Sequence, residues 1–334
     1  MGLVYHPAGH DDDLRVALVE LHAGRWRPAR ELLWKTGTHW ALRTSRTQLL
    51  AVAAARSDVV DVWLAEEPGS YDAQVMGVRV AVERALRAHR QRHPRTAEFE
   101  MKARGAALLA VRRALRDPVP WVCLVALAQI DTRQWRQEHR VRPDEPMLPS
   151  GPWGLLYEVN RRDPYNREAY HRVLQFMLGL EGPWGASLAA VFDFGRSVAS
   201  QRPVGSPLLL LPAYAQIEQR RRSRADPLWR RQWAQKSTLD YTLTAFHDWF
   251  HKAPAVQLSV ADLNLLAYAL WAGHQYLEAA EVFEAMGWYA AREPWASVHE
   301  GVTGPDPGEA LLLRARAESL AYARTRRPRA GPHP

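Results

Sequence analysis

Apolar residues recur at helical spacing along this chain, and this pattern limits its fold more than any other feature. Residues 14–21 place four apolar side chains on one helix face, and Gly24 then ends that helix. A second apolar face occupies residues 26–36, and Gly37 follows it in the position of a helix-terminating glycine. No segment shows the period-2 alternation of a strand between hairpin turns. The sequence therefore predicts an all-α fold built from helical hairpins.

The same periodicity predicts helices over much of the remaining chain, at about 43–64, 71–93, 97–116, 121–130, 153–160, 165–178, 238–251, 263–272, 277–286 and 308–325. Residues 142–152 are rich in Pro, Asp, Glu, Ser and Gly, as in a long connection or a domain boundary. We therefore expect an N-terminal helical-hairpin region at 1–141 and a C-terminal region at 153–325 that continues the first. Residues 326–334 are expected to form a disordered basic tail.

Four residues of the first hairpin have the spacing of a known repeat family. Gly24, Trp26, Ala29 and Leu33 match the glycine, aromatic, small and bulky positions of a tetratricopeptide hairpin, although the chain lacks that family's regular period of 34 residues. The chain thus resembles the tetratricopeptide-repeat superfamily. This resemblance implies an irregular α-solenoid whose concave face binds proteins or peptides.

A second resemblance rests on the segment that follows residue 162. DPYNREAY, then PWGAS and a helix containing Phe192 and Phe194, is similar to a poorly characterised bacterial domain family with tetratricopeptide-like hairpins. No activity is implied by that family. On first helices of hairpins, polar and aromatic residues are the ones expected to line the concave face, and here they are Tyr165, Asn166, Arg167, Tyr170 and His171. The leading functional hypothesis is a non-enzymatic scaffold that binds a partner protein or peptide.

Charge supports a different hypothesis, the binding of nucleic acid or another polyanion. The formal net charge is +8. Positive charge is densest between residues 219 and 233, where two tryptophans accompany a group of arginines: Arg220, Arg221, Arg222, Arg224, Trp229, Arg230, Arg231 and Trp233. Arginines with aromatic rings can grip phosphates and stack on bases. A solvated arginine face with both tryptophans packed inward fits the same spacing, and 40 of the 44 basic residues are Arg, as in a GC-rich genome.

An enzyme with a pocket between helices is the third hypothesis, and the chain offers little chemistry for it. His247 and His251 lie four residues apart on a predicted helix, so both could ligate one metal ion, but the sequence indicates no third ligand and we predict no metal site. Cys123 lies in an apolar run and is expected to be a buried small hydrophobe. Neither a phosphate-binding glycine loop nor a nucleophile elbow is present, so we expect no cofactor.

The predicted cellular location depends on two kinds of segment, a secretory signal and a membrane span. The first residues do not have the basic and apolar parts of a secretory signal, and the most apolar stretches, 121–128 and 207–215, are far shorter than a membrane span. We expect a cytoplasmic protein without a membrane partner. The sequence does not fix its oligomeric state.

Overall fold

The computed structural model describes residues 2–180, 187–222, 229–298 and 305–326. These residues are 72% helical and form no β-strand. Within them, β-type pairing is limited to two isolated bridges, Val4 with Tyr289 and Val141 with Gly151. The prediction of an all-α protein is therefore confirmed.

Contacts between residues divide the chain into two compact units. The N-terminal unit comprises Asp11–Phe194, and the C-terminal unit combines the described residues of Met1–His10 with those of Gly195–Pro334. The candidate boundary at 142–152 lies within the N-terminal unit, whereas the division falls between Phe194 and Gly195. Residues 327–334, most of the predicted tail, lie outside the described residues.

Nine helices belong to the described N-terminal unit: α1 Asp12–His22, α2 Arg27–Thr36, α3 Trp40–Ala54, α4 Val59–Glu66, α5 Tyr71–Arg90, α6 Thr96–Arg113, α7 Val119–Leu127, α8 Trp153–Asn160 and α9 Arg167–Gly179. The next helix, α10 Leu188–Gln201, contains the division. The described C-terminal unit continues with α11 Leu211–Arg222, α12 Lys236–Ala245, α13 Val260–Ala272, α14 Tyr276–Met286, α15 Trp295–Val298 and α16 Pro307–Arg326.

The first hairpin forms where the sequence predicts it. Asp11 caps α1 by accepting a hydrogen bond from the backbone N–H of Leu14 at 3.0 Å. Trp26 precedes α2, is only 6% exposed, and stacks on Trp63 of α4 with ring centroids 5.4 Å apart. The aromatic position of the hairpin is thus part of the core, as expected.

Residues 43–64 do not form the single helix that their periodicity predicts. α3 ends at Ala54 and α4 begins at Val59. Arg84 of α5 donates hydrogen bonds to the carbonyl oxygens of Ala55, at 3.2 Å, and Ser57, at 2.6 Å. Because a distant side chain satisfies these carbonyls, the helix can end without losing hydrogen bonds. A local pattern cannot show this interaction.

The core of the N-terminal unit is organised around α7. Every residue of α7 except Trp121 is buried, and α7 packs against α5, α6, α8 and α9. A helix that is apolar on all sides is expected at such a central position. In the C-terminal unit the corresponding role belongs to α13, in which every residue except Ala261 is buried and which packs against α12, α14 and α16.

Candidate functional site

The five residues predicted to line a binding groove lie at the start of α9. Asn166 caps this helix by accepting from the backbone N–H of Ala169 at 3.0 Å, and its side-chain amide donates to Thr44 Oγ1 at 3.1 Å. Tyr170 Oη accepts a hydrogen bond from Asn160 Nδ2 at 2.9 Å. These contacts are structural ones within the N-terminal unit.

Burial separates the five residues into two groups. Asn166, Tyr170 and His171 are 2%, 8% and 6% exposed, while Tyr165 and Arg167 are half-buried. The first three side chains are therefore packed inside the N-terminal unit. Only Tyr165 and Arg167 offer part of their surface to a partner, so the predicted groove is not supported as a continuous surface.

Behind this end of α9 lies a chain of buried charges. Arg79 of α5 donates from Nη1 to Glu168 Oε1 at 2.9 Å, and Arg172 donates from Nη2 to the same oxygen at 3.1 Å. Arg172 Nη2 also contacts Glu83 Oε1 at 3.0 Å. Burial alone would raise the pKa of Glu168, but the two guanidinium groups hold that pKa below its usual value. This buried charge network, formed by Arg79, Glu83, Glu168 and Arg172, ties α5 to α9.

Cys123 of α7 is completely buried. Burial raises the pKa of its thiol to about 12, even though the charge of Arg79 acts in the opposite direction. The thiol is therefore protonated at neutral pH and is not a nucleophile. This result agrees with the expectation of a buried small hydrophobe.

His171 makes stability depend on pH. Burial, together with the charges of Arg167 and Arg172, lowers its pKa well below the ordinary value, and burial also lowers the pKa of His139. An unfolded histidine has a pKa of about 6.5. The unfolded state therefore binds protons first as pH falls, so the stabilisation is complete at higher pH and is lost below about pH 6.5.

We expect the free energy of unfolding to fall between about pH 7 and about pH 5, by up to about 1.4 kcal/mol per pH unit for each such histidine. Urea unfolding at several pH values measures this slope. His171→Gln should flatten the slope. An unchanged slope in His171→Gln would show that His171 does not titrate in this way.

A long connection between α7 and α8 is the most unusual surface element of the N-terminal unit. Residues 131–152 contain only one short 3-10 turn, Gln137–His139. Irregular connections longer than about 12–15 residues are uncommon in compact domains and often have a function. We refer to residues 131–152 as the 131–152 loop.

Asp131 holds the first part of this loop in place. Its carboxylate accepts hydrogen bonds from the backbone N–H groups of Trp135 at 2.8 Å and Arg136 at 3.0 Å. Oδ2 of Asp131 also lies 2.8 Å from Nδ1 of His139, a side chain that is completely buried. One carboxylate therefore fixes three points of the loop.

The loop is also anchored to α6. Arg104 pairs with Glu100 at 2.7 Å and with Glu138 of the loop at 2.6 Å, and Arg136 pairs with Glu100 at 2.6 Å. At the other end, Gln134 Nε2 donates to the carbonyl oxygen of Ser150 at 2.6 Å. These polar contacts hold residues 134–138 and Ser150 of the loop in place.

Two large apolar side chains project from this fixed loop. Trp135 is 75% exposed and Met147 is 77% exposed. Tryptophan and methionine are enriched at protein interfaces, and tryptophan is among the residues that contribute most binding energy. Around Trp135, the contacts that hold the backbone in place lower the entropic cost of binding. The arrangement can therefore contribute apolar contacts to a partner protein.

The arginine-rich segment of the C-terminal unit has a different geometry from the one that base stacking needs. Trp229 and Trp233 are 3% and 0% exposed, and Trp229 Nε1 donates to Tyr268 Oη at 3.2 Å. Neither tryptophan is open to stack on a base. Both pack inward, as the alternative interpretation of their spacing predicts.

The arginines around these tryptophans are partly engaged by the protein itself. Arg221 pairs with Glu218 at 2.7 Å, and Arg220 lies over the Trp229 ring at 5.9 Å. Arg230 lies over the Trp271 ring at 4.3 Å. Arg222 and Arg231 are exposed, and Arg224 lies outside the described residues. The described part of the cluster is a basic surface without exposed tryptophans.

Among the residues that the structure describes, no third metal-ligating side chain joins His247 and His251. Residues Phe246–Phe250 form a π-helical turn after α12, and His251 Nε2 lies 3.2 Å from Glu281 Oε2. Throughout the described residues, no group of three or more His, Cys, Asp or Glu side chains could hold a metal ion. His247 instead borders an open surface depression, together with Asp240 and Asp248.

Comparison with known proteins found no matching family model, no matching curated protein and no matching solved structure. The function is therefore argued from the residues of this chain alone. In the described part of the chain, no helix combines the length and apolarity needed to cross a bilayer.

Sequence reasoning did not single out the exposed side chains of the 131–152 loop or the burial of Glu168. A signal existed for each. Glu168 and Arg172 are four residues apart, which is the spacing of an ion pair on a helix. Trp135 and Met147 are apolar residues inside a polar segment that has no helical periodicity. Such residues cannot be assigned to a core and are candidates for exposure.

Proposed function

We propose that this chain is a non-enzymatic scaffold of tetratricopeptide-like helical hairpins that binds a partner protein. The observation that supports it most directly is the exposed Trp135 on a loop that Asp131, Arg104 and Glu100 hold in place. Tryptophan is among the residues that contribute most binding energy at protein interfaces, and a segment already held by ion pairs to α6 loses little conformational entropy when it binds. A partner that covers Trp135 would explain both features.

The buried groups of the N-terminal unit also favour binding over catalysis. Its interior carboxylate Glu168 is neutralised by Arg79 and Arg172, and the Cys123 thiol stays protonated. Groups in this state stabilise the fold and are poorly suited to act as a base or a nucleophile. Polyanion binding at the arginine-rich segment remains the second candidate, because Arg222 and Arg231 are exposed there.

Capture from a native extract by the immobilised chain distinguishes protein binding from polyanion binding. We expect captured proteins that survive nuclease treatment and that are lost from the Trp135→Ala variant. Trp34→Ala is the matched control, since Trp34 is 78% exposed and lies on the regular helix α2. Capture that nuclease abolishes, or that both variants retain, would contradict binding through the 131–152 loop.

A further inference from the structure

The outer face of α6 carries an apolar stripe that nothing in the described structure covers. Met101, Leu108 and Leu109 are 66%, 46% and 62% exposed. Positions separated by three, four or seven residues lie on the same side of a helix, so these side chains share one face with Gly105. On the opposite face, Arg104 and its neighbours are buried and anchor the 131–152 loop. α6 therefore packs one face into the N-terminal unit and presents an apolar stripe on its outer face.

Gly105 lies at the centre of the exposed stripe. A Cβ atom placed there would meet no other atom within 4 Å, so no contact inside the described chain requires a glycine. Glycine within a helix costs about 1 kcal/mol relative to alanine. A site without a side chain does, however, let a second helix approach closely, because the residues at the crossing point set the distance between helix axes.

Around Gly105 the stripe is complementary to itself when it is reversed. Met101 and Leu109 are each four positions from Gly105, and Glu98 and Arg112 are each seven positions from it. In an antiparallel pair of α6 helices that cross at Gly105, Met101 of one copy meets Leu109 of the other. Glu98 then meets Arg112, and twofold symmetry makes each contact occur twice.

Charge selects this antiparallel arrangement over a parallel one. A parallel pair in register would place Glu98 against Glu98 and Arg112 against Arg112, and such like-charge contacts are unfavourable. Glu98 pairs within its own chain with Arg95 at 2.6 Å, but both side chains are about 60% exposed. Such a pair contributes little stability, so Glu98 can exchange it for Arg112 of a second copy.

We propose that a second copy of this chain occupies the stripe, and that the protein forms a twofold homodimer through antiparallel α6 helices that cross at Gly105. The interface residues named here lie on α6, outside the 131–152 loop. Because two crossing helices bury less surface than a large obligate interface does, the dimer dissociates on dilution.

Sedimentation equilibrium of the full chain tests this proposal. We expect the mass to rise from the monomer value of 37.9 kDa towards twice that value as the concentration increases. Leu109→Glu should weaken association at least tenfold. Val19→Glu is the matched control, because Val19 is also an exposed apolar residue on a helix, at 56% exposure. A monomer at every concentration, or equal weakening by both variants, would overturn the proposal.

Two further variants test the crossing point and the orientation. Gly105→Leu should raise the melting temperature of the monomer, because leucine favours helix more than glycine does. The same variant should no longer form the dimer. A folding defect would instead lower the melting temperature, so the two explanations can be separated. Glu98→Arg and Arg112→Glu should each weaken the dimer, and the double variant should restore it. A double variant that stays as weak as either single one would overturn the antiparallel arrangement.

Discussion

Glu168→Ala is expected to lower the free energy of unfolding by about 3–5 kcal/mol, because it leaves two buried guanidinium groups without their shared carboxylate. Arg79 and Arg172 have side chains that are 2% and 10% exposed, so water cannot replace that partner. Urea unfolding at neutral pH measures the change.

A matched control lies in the helix before α9. Glu158 and Arg162 have the same spacing as Glu168 and Arg172 and pair at 2.7 Å, but the Glu158 side chain is 24% exposed. Glu158→Ala should therefore cost less than about 1 kcal/mol. If Glu168→Ala cost no more than Glu158→Ala, the network would not be buried as described.

Trp26→Ala is the second change with a large expected effect, a loss of about 3–5 kcal/mol. The substitution removes a buried ring that stacks on Trp63 and leaves a cavity between α2 and α4. Thermal and urea unfolding measure the loss. Trp34→Ala, at the exposed tryptophan of α2, should change stability by less than about 0.5 kcal/mol. Equal effects of the two changes would contradict the packing of the first hairpin.

Local features of the fold could be predicted because local residues determine them. Gly24 marks the turn of the first hairpin, and that turn depends on residues a few positions away. The local spacing also predicts that Trp26 packs inward, although its stacking partner Trp63 lies on α4. The break between α3 and α4 could not be predicted, since it depends on Arg84, which lies on another helix. Helical periodicity reports which face is apolar, and it carries no information on such distant contacts.

The surroundings of the candidate binding residues were harder to predict for the same reason. Asn166 and His171 have the polar character expected of a groove, but Thr44 and Arg79 come from distant parts of the chain and close over this end of α9. Burial of a polar residue depends on its partners, which spacing does not show. For Trp229 and Trp233, the spacing was compatible with both inward packing and base stacking. The sequence alone therefore could not decide between these two interpretations.

Site-specific photo-crosslinking tests the central claim, that the 131–152 loop contacts a partner protein, most directly. A photoreactive benzoylphenylalanine replaces Trp135 in one version of the chain and Trp34 in another, and both are irradiated in the native extract. We expect nuclease-resistant protein adducts of defined mass at position 135 and none of them at position 34. The absence of adducts at position 135, or the same adducts at both positions, would contradict a binding function for this loop.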